Sequence, residues 1–104
     1  MGILDFLKKP DFHGLLEESR QTPQAVLVDV RTPEEYSLGH VPGALNIPVD
    51  QIGQVDLAKD RPLYLYCHSG ARSSMAVSSL KRMGYPHVTN LGGILSYHGP
   101  LEQK

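Results

Sequence analysis

The residues best suited to chemistry lie in one short stretch, Leu63 to Arg72. An apolar run there ends in Cys67, the only cysteine of the chain, and small or polar residues follow it. The thiolate is the reactive form of cysteine, and nearby amides, helix N-termini and cations lower its pKa from about 8.5. Gly70 permits a tight turn, and Arg72 supplies a permanent cation with a forked donor. The stretch therefore predicts an ionised sulfur nucleophile.

A loop over residues 68–72 would direct its backbone N–H groups at the sulfur, forming an anion-binding nest at a helix start. Such a nest also suits a persulfide, Cys-S-S⁻, whose outer sulfur carries the charge. We therefore predict that Cys67 is catalytic and that the loop binds substrate through His68, Ser69, Gly70, Ala71 and Arg72. We expect His68 at the pocket rim, because a pre-formed thiolate needs no base. The Ser69 hydroxyl either donates to the persulfide or stabilises the turn.

Each of these residues also has an ordinary structural interpretation. A lone cysteine at the end of a strand is often buried and inert, and Arg72 could simply be a solvated residue. A cation is unfavourable at a helix N-terminus, however, so an anionic partner accounts better for Arg72. We favour a functional role for both residues.

Asp29 and Arg31 are candidates for supporting charges, since alternation along a strand places both on one face. We favour structural roles for them. Asp29 would accept hydrogen bonds from loop amides, and Arg31 would form an ion pair with Glu34 or Glu35. The histidines show no ligand spacing with acidic residues, so neither a metal nor any other cofactor is expected.

The elements that position these residues alternate between strands and helices. Such alternation predicts a mainly parallel sheet, with ligands bound beyond the carboxyl ends of its strands, where Cys67 falls. Strands are predicted at 25–30, 44–47, 63–67 and 87–91. Helices are predicted at 12–20 after an Asp11 N-cap, from a Thr32 capping box to Gly39, from the loop to Gly84, and at 94–98, with a loop or short helix at 49–58.

The chain resembles the rhodanese-like, or thiosulfate sulfurtransferase, single-domain family over nearly its whole length. The matching motifs are residues 67–73 (CHSGARS), 29–36 (DVRTPEEY) and 39–48 (GHVPGALNIP), with a glycine pair at 92–93. The resemblance implies an α/β three-layer sandwich, with a central, mainly parallel sheet of four to five strands and helices on both faces. Residues 1–10 look helical where the family usually opens with a strand, which favours four strands. Tyr97 stands where the family often has Trp.

The resemblance also implies a reaction. Sulfane sulfur would pass from a small donor, such as thiosulfate or a persulfide, to a thiol or cyanide through a persulfide on Cys67. The Arg72 side chain would bind the anionic donor, and a protein is a further possible acceptor. Two alternatives stay open: a sulfur-carrier or regulatory binding module without turnover, and a cysteine-dependent phosphatase. The phosphatase is disfavoured because its loop has five residues between Cys and Arg, whereas this chain has four.

Composition sets the remaining limits. The 104 residues predict one domain spanning 1–104, with 1–10 as an atypical N-terminal segment. A formal net charge of −1 offers no basic patch for nucleic acid. The apolar runs are far shorter than the roughly 20 residues that span a bilayer, and the N-terminus lacks the features of a secretion signal. We therefore expect a cytoplasmic protein that binds neither nucleic acid nor membrane.

Overall fold

The computed structural model describes residues 11–103, which contain a four-stranded sheet. Its strands are β1 (Val26–Asp29), β2 (Leu45–Asn46), β3 (Leu63–Cys67) and β4 (Val88–Gly93). All pairings are parallel, in the order β2-β1-β3-β4. The predicted α/β class and parallel sheet are confirmed, and the expectation for residues 1–10 lies outside the described residues.

Helices cover both faces of this sheet because alternate residues of the buried strands point to opposite sides. The helices are α1 (Phe12–Gln21), α2 (Pro33–Leu38) and α3 (Ala71–Arg82), with 3₁₀ turns at Val49–Gln54 and Ile94–Ser96. One face packs Leu65 with Leu80 of α3, and the other packs Tyr64 with Leu16 of α1. The result is three layers. No helix within residues 11–103 is long and apolar enough to cross a membrane.

The helix starts follow the local signals in the sequence. The Asp11 side chain accepts a hydrogen bond from the Gly14 amide at 2.8 Å and caps α1. At α2, the Thr32 hydroxyl accepts from the Glu35 amide, and the Glu35 carboxylate accepts from the Thr32 amide. This capping box was predicted, and it fixes Glu35 in the first turn of α2.

The end of β4 differs from the prediction. The strand continues through Gly92 and Gly93, where we expected a connection to a helix, and only the short 3₁₀ turn follows. Both glycines pair with β3, after a β-bulge. Leu65 pairs with Asn90 but Tyr66 pairs with Gly92, so one extra residue of β4 is accommodated. Gly92 has a φ of 108°, which glycine adopts readily.

Candidate active site

Cys67 is the last residue of β3 and lies at the carboxyl edge of the sheet. The chain then turns sharply into α3, whose N-cap is Gly70 with a φ of 104°. This left-handed conformation is readily adopted by glycine and brings the Gly70 amide back towards the preceding strand. The Gly70 N–H donates to Cys67 Sγ at 3.0 Å. The sequence therefore builds the loop around the sulfur atom.

Ser73, in the first turn of α3, adds further donors to the same sulfur. Its amide and its hydroxyl each lie 3.4 Å from Cys67 Sγ. Burial of Cys67, which is 1% exposed, raises the pKa of its thiol. Hydrogen bonds from Ser73, Gly70 and the Arg72 amide outweigh burial, and the net effect is a lowered pKa. The site therefore favours the thiolate.

The Arg72 side chain is held by Glu35 across the loop. Arg72 Nη1 donates to Glu35 Oε1 at 2.7 Å, and Arg72 Nη2 donates to Oε2 at 3.0 Å. These bonds from Arg72 are the main reason that the pKa of Glu35 falls to about 2. A guanidinium has five N–H donors, so three are left for another ligand. Arg72 is thus an ordered cation close to Cys67, and Glu35 pairs with Arg72 instead of with Arg31 as predicted.

Ser73 and Asn90 are site residues that were not predicted from the sequence. The Ser73 hydroxyl lies 2.7 Å from Asn90 Oδ1, and the Gly92 amide donates to the same oxygen at 2.8 Å. Asn90 Nδ2 lies 3.4 Å from the Gly70 carbonyl oxygen. Asn90 therefore connects β4 to the loop around Cys67. The one available signal was a polar residue inside the otherwise strand-like run HVTNL.

Comparison with known proteins identifies this architecture. Residues 12–99 match the family described as the rhodanese-like domain. The chain belongs to the rhodanese-like domain family.

Individual relatives agree with that assignment. A sulfurtransferase of Allochromatium vinosum is 40% identical over 94 residues, covering 86% of this chain and 88% of that protein. The thiosulfate sulfurtransferase PspE of Escherichia coli is 41% identical over 71 residues, covering 64% of this chain and 68% of that protein. A solved structure of a rhodanese-like domain protein from Staphylococcus aureus is 31% identical, with a TM-score of 0.79, and the match covers 90% of this chain and 95% of that one.

In this rhodanese-like domain, Asp29 and Arg31 pair with each other. Arg31 Nη2 donates to Asp29 Oδ2 at 2.6 Å, and the Arg31 amide donates to Asp29 Oδ1 at 2.9 Å. Arg31 also donates to the Gly39 carbonyl oxygen at 2.7 Å. The expected ion pair of Arg31 with Glu34 or Glu35 is therefore wrong. Asp29 does accept a loop amide, but that amide belongs to Arg31.

The other residues of the loop that follows Cys67 are more exposed to solvent than Cys67 itself. His68, Ser69 and Ala71 are exposed, and His68 lines a cavity of about 270 Å³ together with Arg31 and Tyr97. Among residues 11–103, the Ser69 hydroxyl makes no hydrogen bond to protein. No group of three or more His, Cys, Asp or Glu residues in that range could hold a metal ion. The arrangement thus combines a thiol with a lowered pKa, a set of donors directed at its sulfur, and one ordered guanidinium.

Proposed function

We propose that this domain is a sulfurtransferase that carries sulfane sulfur as a persulfide on Cys67. The observation that carries the proposal is the convergence of the Gly70 and Ser73 donors on Cys67 Sγ, which lowers the pKa of the thiol. A thiolate is the form that attacks sulfur. The names of the relatives, a sulfurtransferase and a thiosulfate sulfurtransferase, support the same reaction.

In the first half of the reaction, Cys67 Sγ attacks the sulfane sulfur of thiosulfate. A bond forms between the two sulfurs, and the S–S bond of thiosulfate breaks, with its electron pair leaving on sulfite. The product is Cys67-S-S⁻, whose terminal charge is stabilised by the loop amides. The three Arg72 N–H groups that Glu35 leaves unused bind the sulfonate oxygens.

In the second half, a thiolate or cyanide attacks the outer sulfur of the persulfide. The bond from that sulfur to Cys67 Sγ breaks, and its electron pair returns to Sγ as the thiolate. The products are an acceptor persulfide or thiocyanate and the regenerated enzyme. No redox cofactor is consumed, because each step exchanges one sulfur–sulfur bond for another bond to sulfur.

Intact-protein mass spectrometry tests the proposal. Incubation with thiosulfate is expected to add the mass of one sulfur atom, and later addition of cyanide should remove it and yield thiocyanate. Cys67→Ala should abolish both events. Absence of an adduct with thiosulfate and with glutathione persulfide would reject the sulfurtransferase. An adduct that no acceptor discharges would instead identify a carrier or regulatory module.

A further inference from the structure

The Ser73 hydroxyl has more acceptors than it has protons. Ser73 Oγ lies 2.7 Å from Asn90 Oδ1, 3.1 Å from the Gly70 carbonyl oxygen and 3.4 Å from Cys67 Sγ. A hydroxyl carries one proton, so these hydrogen bonds are alternatives. Ser73 is 0% exposed, which keeps bulk water from supplying another donor. The Ser73 hydroxyl therefore donates its one hydrogen bond to whichever of the three acceptors is strongest.

The strength of one of those acceptors changes during sulfur transfer. A hydrogen bond to an ionised acceptor is about twice as strong as one between neutral groups. In the thiolate form of the free enzyme the charge lies on Cys67 Sγ, whereas in the persulfide Sγ is the neutral inner sulfur and the charge lies on the outer atom. The backbone amides of Gly70 and Ser73 are directed at Cys67 Sγ and are fixed by the loop backbone. Of these three donors, only the Ser73 hydroxyl can change its acceptor, because it rotates about its C–O bond.

We infer that Ser73 is a catalytic residue whose hydroxyl turns from Asn90 to Cys67 Sγ as the outer sulfur leaves. This inference rests on the proposed function and concerns its second half. As the acceptor bonds to the outer sulfur, the electron pair of the breaking S–S bond collects on Sγ. The Ser73 hydroxyl then donates to that charge and keeps its own proton, so the leaving thiolate is stabilised.

Asn90 is a positioning residue in this scheme. Its Oδ1 is fixed by a hydrogen bond from the Gly92 amide at 2.8 Å. The same oxygen accepts a hydrogen bond from the Ser73 hydroxyl whenever Sγ is neutral. Removing the Ser73 hydroxyl leaves Asn90 Oδ1 paired with Gly92, so no buried acceptor loses its last partner. Ser73→Ala should therefore fold, and its thermal unfolding provides the check.

The test separates the two half-reactions. Wild type, Ser73→Ala and Ser73→Thr are first loaded with sulfur and then mixed with cyanide in a single turnover. The discharge rate should fall about 10-fold or more in Ser73→Ala, as expected for the loss of one hydrogen bond to a charged group. Ser73→Thr keeps the hydroxyl and should stay near wild type. Ser78→Ala, an exposed serine of the same helix, is the matched control.

The pH dependence of Cys67 alkylation gives a second readout. Its midpoint should rise in Ser73→Ala, because the thiolate loses a donor, and should not move in Ser78→Ala. Discharge of loaded Ser73→Ala at the wild-type rate would overturn the inference, as would equal slowing in Ser73→Thr. Either result leaves the proposed function intact, since that function fails only if the wild type takes up no sulfur.

Discussion

The ion pair between Arg72 and Glu35 determines how the Arg72 guanidinium is oriented near Cys67. Arg72 and Glu35 side chains are each 33% exposed, so the pair is only partly shielded from water. Because the pKa of Glu35 is lowered to about 2, its contribution to folding is present above about pH 4.5 and is lost as the pH falls towards 2. The ion pair therefore persists at neutral pH. Its main effect is to hold the guanidinium in one orientation.

We expect Arg72→Ala to raise the KM for thiosulfate roughly 5-fold to 150-fold, because a charge-assisted hydrogen bond contributes about 1–3 kcal/mol. Arg72→Lys keeps the charge but loses the planar fork, so it should recover only part of this loss. Steady-state kinetics with cyanide as acceptor measure the effect. Arg82→Ala, in the last turn of the same helix, is the matched control. An unchanged KM in Arg72→Ala would remove its side chain from donor binding.

At the residue scale, local sequence signals predicted some of the site residues but not the contacts between residues that are distant in sequence. The positions of Cys67 and Gly70 were predictable because the end of a strand and a tight turn are both indicated by neighbouring residues. The Ser73–Asn90 contact joins residues 17 positions apart, and the bulge in β4 lies directly after Asn90. The pairing expected for Arg31 was wrong because closeness in sequence favoured Glu34 or Glu35, whereas the capping box leaves Glu35 facing Arg72.

At the scale of elements, the closest fit is between β4 and the loop around Cys67. Cys67 pairs with Gly93 in the sheet. A Cβ at Gly93 would lie 2.6 Å from Ser69 Cα and 2.8 Å from the Ser69 carbonyl carbon, and it would also overlap the His68 carbonyl oxygen. These are backbone atoms, so they cannot move aside without moving the loop. Gly93 thus lets the strand pack directly against the donor ring.

Gly93→Ala should therefore displace the loop and slow sulfur loading. A misplacement of about 1 Å at a reacting group can cost about 100-fold, so we expect a loss of roughly 10-fold to 100-fold. Single-turnover loading from thiosulfate, followed by mass, measures it. Gly53→Ala is the matched control, because a Cβ there has no atom within 4 Å. Wild-type loading in Gly93→Ala would show that the loop tolerates the displacement.

The order of helices and strands was largely predictable, because caps and buried β-branched runs are encoded in neighbouring residues. Asp11 and Thr32 cap their helices as expected, and the run ending at Cys67 is a fully buried strand. The end of β4 was not predictable. A glycine pair usually marks a turn, but here pairing with β3 keeps both glycines in the strand.

At the scale of the molecule, the Asp29–Arg31 pair connects β1 to the chain beyond α2. Asp29 is 0% and Arg31 6% exposed. Besides binding Asp29, Arg31 donates to the Gly39 carbonyl oxygen. The side-chain amide of Asn46, in β2, donates to the carbonyl oxygens of both Asp29 and Arg31. These bonds fasten the β1–α2–β2 region at the same sheet edge that holds Cys67. The pair therefore has a structural role, even though Arg31 lines a cavity with His68.

Arg31→Ala should lower the free energy of unfolding by about 3–5 kcal/mol, because the buried Asp29 carboxylate loses its cationic partner and keeps only the backbone amide of residue 31. Urea denaturation measures the loss. Arg20→Ala, which removes one exposed hydrogen bond to the Pro42 carbonyl oxygen, is the control and should cost about 1 kcal/mol or less. Arg31 could act in folding or in donor binding. The KM for thiosulfate, measured on the folded fraction, distinguishes these two roles. A stable Arg31→Ala with a raised KM would move Arg31 from the scaffold into the donor site.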